Sequence, residues 1–314
     1  MRSDAVRAFY YKAHANSLGG FIEKPLPKYI PPQASSSLPS VGGLGVTRLG
    51  AFNHEEILSC ASSYARVSGS ENSLAGGDIN HDGSWSIQAT AVLENLSILE
   101  VVTADRVVSQ MSVDYPKDGG LPRISLAGSR FDNLRIGGFP AKPSFNLGLL
   151  RPEFGIDASQ SQLTWENFRE TGRTQAETLI RSVGITGDAD RKAFAWIEER
   201  FQWMREDLTP TGDQWALCSL VDSVDQTIPG RTFGHVVEIP DFGRIFLGEV
   251  IVTLSSVELT MVRAELGCAV SGQTSAGYTG AGGRTVPPSV TSSSAEMTAK
   301  TAGGAGRTVP PSAP

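Results

Sequence analysis

Residues 95–138 read NLSILEVVTADRVVSQMSVDY (Asn95–Tyr115), a Pro/Gly-rich break from Pro116 to Pro122, then RISLAGSRFDNLRIGG (Arg123–Gly138). No other part of the chain is as rich in β-branched residues, which fit the pleated, half-buried surface of a strand. Proline and glycine in the middle supply turn chemistry. The stretch is expected to form a β-meander at the core, with Leu96–Asp114 as one of its strands. Strands from both sides of the helical segment described below are expected to pair with it.

Working outward, Ser59–Ser68 and Ser84–Leu93 precede the meander, and Arg123–Ala127 and Asn133–Gly137 close it. Strands at this short spacing with turn signals between them are the pattern of a sandwich or barrel. Upstream, AVRAFYYKAHANSLGGFI (residues 5–22) alternates, with Phe9, Tyr11, Ala13 and Ala15 on one face and Ala8, Tyr10, Lys12 and His14 on the other. This gives an opening strand closed by Gly19 and Gly20, with a helix as the competing reading. The proline-rich run from Glu23 to Gly45 lacks the N–H donors of a central strand and reads as edge strand or irregular cover.

From about Asp157 to Leu208 the period changes. DADRKAFAWIEERFQWMREDL (residues 188–208) places Ala193, Ile197, Phe201, Met204 and Leu208 on one stripe, stopped by Pro210. Shorter helices are expected at Thr164–Glu170 and at Thr174–Val183, the latter ended by Gly184. Strands then resume at Trp215–Val224, Phe233–Ile239, Gly243–Leu254 and Val257–Leu266, with Pro240-Asp241-Phe242-Gly243 as a hairpin link. Beyond Ser271 the chain is dominated by Gly, Ser, Thr and Pro and repeats GRTVPPS at Gly283–Ser289 and Gly306–Ser312. Such a composition is expected to be disordered, the repeat reading as a duplicated linker.

The fold class is therefore mainly β: a β-sandwich or barrel-like core with an α-helical insertion and a disordered C-terminal tail. The expected segments are 1–150 (first β segment), 151–211 (helical insertion), 212–272 (second β segment) and 273–314 (tail).

Net charge is −6, so no basic footprint points to nucleic acid or an anionic membrane. No apolar run is long enough for a membrane-spanning helix. The N-terminus shows no ordinary secretory signal, which gives a cytoplasmic location by default, with export to the cell surface by another route as the alternative. Cys60, Cys218 and Cys268 are too few for a disulfide framework, and their apolar neighbours suit buried thiols.

The best local motif for chemistry is Asp78-Ile79-Asn80-His81-Asp82-Gly83-Ser84. Asp78, Asn80 and Asp82 put three oxygen side chains on one turn, as a Ca²⁺ loop requires. Position twelve falls on Ala89, so an EF-hand is excluded, and a polar β-turn is the bland alternative. His14, His54, His81 and His235 show no metal-ligand spacing among themselves. Asp105-Arg106 interrupts an apolar run and reads as a bend or an inter-strand ion pair.

AFYYKAHANSLGGFIEKP (Ala8–Pro25), SYARVSGSEN (Ser63–Asn72), NLSILEVVTADRVVSQMSV (Asn95–Val113) and GHVVEIPDFGRIFLGE (Gly234–Glu249) together resemble a group of uncharacterised bacterial proteins, over roughly residues 1–272. More remotely, the order of Ile98–Asp105, Asn133–Gly138 and Val237–Glu249 resembles the choice-of-anchor P family of bacterial surface proteins. That likeness implies export and brings no catalytic residues.

The reading favoured by these observations is a non-enzymatic bacterial structural or binding protein, self-associating as a homo-oligomer or attached to a surface, with carbohydrate as a further partner. One alternative is a carbohydrate-active or other hydrolase, requiring two close acids among Asp105, Asp114, Asp132, Glu238 and Glu249. The other is a small-ligand-binding barrel, requiring an apolar cavity beside Trp196 and Trp203.

Overall fold

The computed structural model describes residues 8–72, 83–117, 119, 122–150, 165–184, 193–205, 215–225, 227–253 and 255–286. The chain opens with β1 (Ala8–Lys24), followed by β2 (Lys28–Gln33) and β3 (Ser36–Ser37), both antiparallel to it. Phe9, Tyr11, Ala13 and Ala15 are buried while Tyr10 and Lys12 face solvent, as the alternation requires. The strand does not stop at Gly19-Gly20. A Cβ on Gly20 would lie 2.6 Å from the Gln273 carbonyl oxygen, so glycine here admits a neighbouring strand rather than a turn.

Next come β4 (Gly43–Leu49), β5 (Phe52–His54) and β6 (Leu58–Cys60), then a long meander of β7 (Ser62–Asn72), β8 (Ser84–Ile98) and β9 (Val102–Pro116). β10 (Arg123–Ser125), β11 (Arg130–Asp132) and β12 (Arg135–Ile136) line up along the far side of β9, and β13 (Phe139–Pro140) pairs with β12. The strand expected over Leu96–Asp114 is divided in two. Leu99 and Glu100 have φ of 49° and 57°, and Val101 N donates to Ile98 O at 3.0 Å, which is a type I′ hairpin turn. Its two central residues are neither Gly nor Asn, so the usual turn signal is missing.

β14 (Pro143–Phe145) leads to the helices α1 (Leu147–Leu150), α2 (Trp165–Gly184) and α3 (Ala195–Phe201), with a 3₁₀ turn over Gln202–Arg205. The two helices expected on either side of Gly172 are one. A Cβ on Gly172 would lie 2.1 Å from the Leu217 carbonyl oxygen, so this glycine lets the helix lie flush on a strand instead of breaking it. Ile197, Phe201 and Met204 of the expected stripe are buried; Phe194 is buried in place of Ala193.

After the helices come β15 (Trp215–Ser219), β16 (Val221–Val224), β17 (Arg231–Phe233), β18 (Val236–Ile239), β19 (Gly243–Thr253), β20 (Ser256–Gly267) and β21 (Ser271–Val286). The β18–β19 link is the expected hairpin, with Asp241 at φ 60° after Pro240. The tail expected from residue 273 is corrected: residues 273–286 are strand, paired with both β20 and β1. Composition misled there because Gly and Ser carry little side chain to bury, yet their backbones complete a sheet from both sides. The first GRTVPPS copy begins inside this strand.

The strands form two large antiparallel sheets and the small β14–β16 pair. Sheet A runs β17-β18-β19-β20-β21-β1-β2, with β15 on the second half of β19; sheet B contains β4–β13. They pack face to face through β1, β20 and β21 on one side and β7, β8 and β9 on the other, burying Tyr11, Ala15, Val67, Ile87, Leu93, Val107, Met111 and Leu259 in one core. Among the described residues the meander pairs with strands that precede the helices, and it meets the later strands across the sandwich, not edge to edge. The helices cover the outer face of sheet A, forming a second core with Phe233, Val236 and Phe246. No helix among the described residues is long and apolar enough to cross a membrane.

Candidate functional site

The seam between the helices and the outer face of sheet A gathers a chain of charged side chains. Cross-strand register places Phe246 beside Arg263, Arg244 beside Glu265, and Glu238 beside Arg244. Along β20 the buried alternation runs through Val257, Leu259 and Met261, then inverts to Val262, Ala264 and Leu266. Arg263 is thereby turned towards the helices. Its guanidinium grips Glu249 with two hydrogen bonds, Nε to Oε2 at 2.5 Å and Nη2 to Oε1 at 2.7 Å. Nη1 donates to Glu265 at 2.5 Å, and Arg200 of α3 donates to the same carboxylate at 2.9 Å.

Aromatic rings hold these cations in place. Arg263 and Arg200 stack on Phe246 at 3.8 and 4.4 Å from the ring centre, and Arg244 stacks on Trp196 at 3.8 Å. Burial alone would lower the Arg263 pKa, but the hydrogen bonds and charges of Glu249 and Glu265 outweigh it and raise it. Burial raises the Glu238 pKa, opposed by Arg244 and by the Trp196 indole beside it. The arrangement locks charges together and leaves its strongest cation fully engaged.

Two cavities open on this seam. The larger, about 610 Å³, is bordered by Phe194, Arg231, Glu238, Arg244 and Glu265. The smaller, about 350 Å³, lies between α2 and the turn before β18, with His235, Asp222, Gln175 and Glu170 in its wall. His235 is 3% exposed, and burial pushes its pKa down to about 4. Trp196 and Trp203 pack against the helical core beside Ile197 and Phe201, and Trp196 meets Phe246 edge-on.

Asp78, Asn80 and Asp82, the expected Ca²⁺ ligands, lie outside the described residues, between β7 and β8 in the sequence. Among the described residues no three His, Cys, Asp or Glu side chains are grouped to hold a metal ion. The five carboxylates of the hydrolase reading are divided: Asp105, Asp114 and Asp132 are on sheet B, Glu238 and Glu249 on sheet A. Asp105 accepts a hydrogen bond from Asn133 at 2.6 Å within an unbroken strand, so the bend is not present, and the inter-strand partner of Asp105 is a neutral amide. Asp132 pairs with Arg130.

His14 shares a 2.7 Å hydrogen bond with the Tyr278 hydroxyl on the open face of sheet A, and burial lowers its pKa. Cys60 and Cys218 are buried, which pushes both thiols up. A thiol held protonated is a poor nucleophile. Sequence reasoning named Glu238 and Glu249 among five candidate acids and His235 apart from them, but joined none of these to Arg263 or Arg200. Period-2 alternation can align Arg263 with Glu265, whereas their meeting with Arg200 depends on where α3 docks.

A family model described as Domain of unknown function (DUF8256) matches residues 9–253, and the chain belongs to that family. The match ends with β19, so β20 and β21, which link β19 to β1 in sheet A, lie beyond it. No curated protein and no solved structure matches the chain.

Proposed function

We propose that this member of the DUF8256 family is a non-enzymatic structural or binding protein that self-associates through the free edge of β4. The carrying observation is the character of that edge. β4 pairs with β7 on one side and with no strand on the other, so alternate backbone groups point outward without a ladder partner among the described residues. Leu44 is 62% and Val46 49% exposed on it. It is seven residues long and free of proline, and its one charged side chain, Arg48, lies over the Tyr64 ring of the neighbouring β7. The opposite choice is made at β2, the outer strand of sheet A, where Pro31 and Pro32 remove two donors.

A second copy that adds its own β4 gains main-chain hydrogen bonds and covers the exposed leucine and valine. The likeness of Ile98–Asp105, Asn133–Gly138 and Val237–Glu249 to the choice-of-anchor P family supports a bacterial surface as the setting. The closed charge pairing at the seam supports a scaffold role over turnover. Light scattering on purified protein tests the reading. The native chain is expected above monomer mass, and the double variant Leu44→Lys/Val46→Lys at monomer mass with its fold intact. A native chain that stays monomeric at micromolar concentration sinks the proposal.

A further inference from the structure

We propose that the cavity between α2 and the turn before β18, walled by Asp222, Glu170 and His235, binds a small organic ammonium ion. The proposal goes beyond the assembly reading and does not rest on it. Asp222 is held in place by neutral groups: Asn146 Nδ2 and Gln175 Nε2 donate to its Oδ1 at 3.0 and 2.9 Å. Gln175 is itself fixed, receiving Ser219 N at 2.8 Å and donating to Ser219 O at 2.9 Å. The Asp222 carboxylate is therefore oriented in advance without being neutralised, which lowers the cost of binding.

Glu170 contributes a second carboxylate from α2, and neither acid has an ion-pair partner among the described residues. No lysine or arginine is among the cavity's described lining residues. Thr171 and Thr174 add hydroxyls from the helix. His235 supplies the independent sign of a ligand. The side chain is 3% exposed and lines the cavity, and its ring makes no hydrogen bond among the described residues. Its nitrogens are not among the sealed, unpartnered polar atoms of the described residues, so they open on the cavity, where a ligand's donor can reach one of them.

The remaining charges near the imidazole are spoken for. Arg263 and Arg200 act on it, but they are paired with Glu249 and Glu265. At neutral pH the ring is uncharged and offers a lone pair rather than a repelling cation. An ammonium group donates hydrogen bonds in several directions, which suits two carboxylates, hydroxyls and an imidazole nitrogen spread around a wall. A metal ion needs its ligands converged on one point, and these acidic and imidazole groups do not meet as a cluster.

Calorimetric titration with 1,4-diaminobutane, with 1,4-butanediol as the uncharged control, tests the site on the full chain. The diamine is expected to bind and the diol not. Asp222→Asn and, separately, Glu170→Gln are each expected to weaken the diamine about tenfold or more, the loss of one charge-assisted hydrogen bond. Glu170 sits exposed on α2 and its variant keeps the fold should Asp222→Asn disturb it. No heat with the diamine, equal binding of the diol, or unchanged affinity in a folded Glu170→Gln protein overturns the proposal.

Discussion

Ser109 Oγ and Thr279 Oγ1 lie 2.8 Å apart, buried between the two sheets and 170 positions apart in the chain. One comes from the meander, the other from the last strand, and each satisfies the other where water is excluded. Ser109→Ala leaves the Thr279 hydroxyl buried without a partner and is expected to cost about 1–3 kcal/mol. The double change Ser109→Ala/Thr279→Val removes both polar groups and is expected to restore most of that loss. Urea unfolding of the three proteins measures it.

The Arg263–Glu249 pair is expected to show the same asymmetry on a larger scale. Arg263→Met strands Glu249, whose side chain is 8% exposed, as an unpaired buried charge, and should cost about 3–5 kcal/mol. Adding Glu249→Leu should recover much of this, since two apolar groups then fill the same space. A double-mutant cycle read by urea unfolding separates the pair from its neighbours; a single change without effect would show the pair is not buried as described.

Acid should weaken the fold through His235. Unfolded, an imidazole binds its proton near pH 6.5; folded, this one does so only near 4. Between those values the unfolded chain binds more protons, so this contribution is complete above about pH 6.5 and lost as pH falls towards 4, roughly 3 kcal/mol in all. Glu249 and Asp222 oppose the shift, while Arg263 and Arg200 reinforce the burial that causes it. His235→Phe should flatten the difference in urea midpoint between pH 7 and pH 5, leaving the smaller contribution of the same sign from His14.

The turn at Leu99-Glu100 pays for its shape with two left-handed residues that carry side chains. Glu100→Gly, at φ 57°, is expected to stabilise the protein by about 1 kcal/mol, because glycine meets no Cβ clash there. A lower urea midpoint for the variant would contradict this.

A chain ending at Gly267 loses β21, and with it the antiparallel partner of β1 from Ala8 to Lys24. It is expected to fail to fold, as judged by circular dichroism and a cooperative melt. A chain ending at Pro288 keeps the whole strand and is expected to fold. Equal folding of both would mean that sheet A closes without β21.

Much of the architecture was legible locally. The alternation of Phe9, Tyr11, Ala13 and Ala15, the meander, the Pro240-Asp241 hairpin and the Ile197–Phe201–Met204 stripe all follow from periods of 2 and 3.6 residues. Errors arose where one residue type serves two purposes. Gly20 read as a stop and Gly172 fell in the gap between two expected helices, yet both are close-approach positions, and Leu99-Glu100 form a turn without a turn signal. The candidate site was less legible, because Asp222, Gln175 and His235 come from three separated elements and none sits in a motif.

For the central stretch Asn95–Gly138, the sequence by itself determined that it is strand, which face is apolar, and that it belongs to a mainly β protein. These are consequences of backbone sterics and side-chain spacing along one segment. Only the tertiary structure decided its partners: β9 hydrogen-bonds to strands before the helices and presents Val107, Ser109 and Met111 to those after them. It also decided that residues 273–286 close sheet A and that the helix seam, not the meander, brings charged and polar groups together. Strand partners and the contents of a seam depend on how distant edges and faces are covered, a condition set by the whole chain at once and by no single segment.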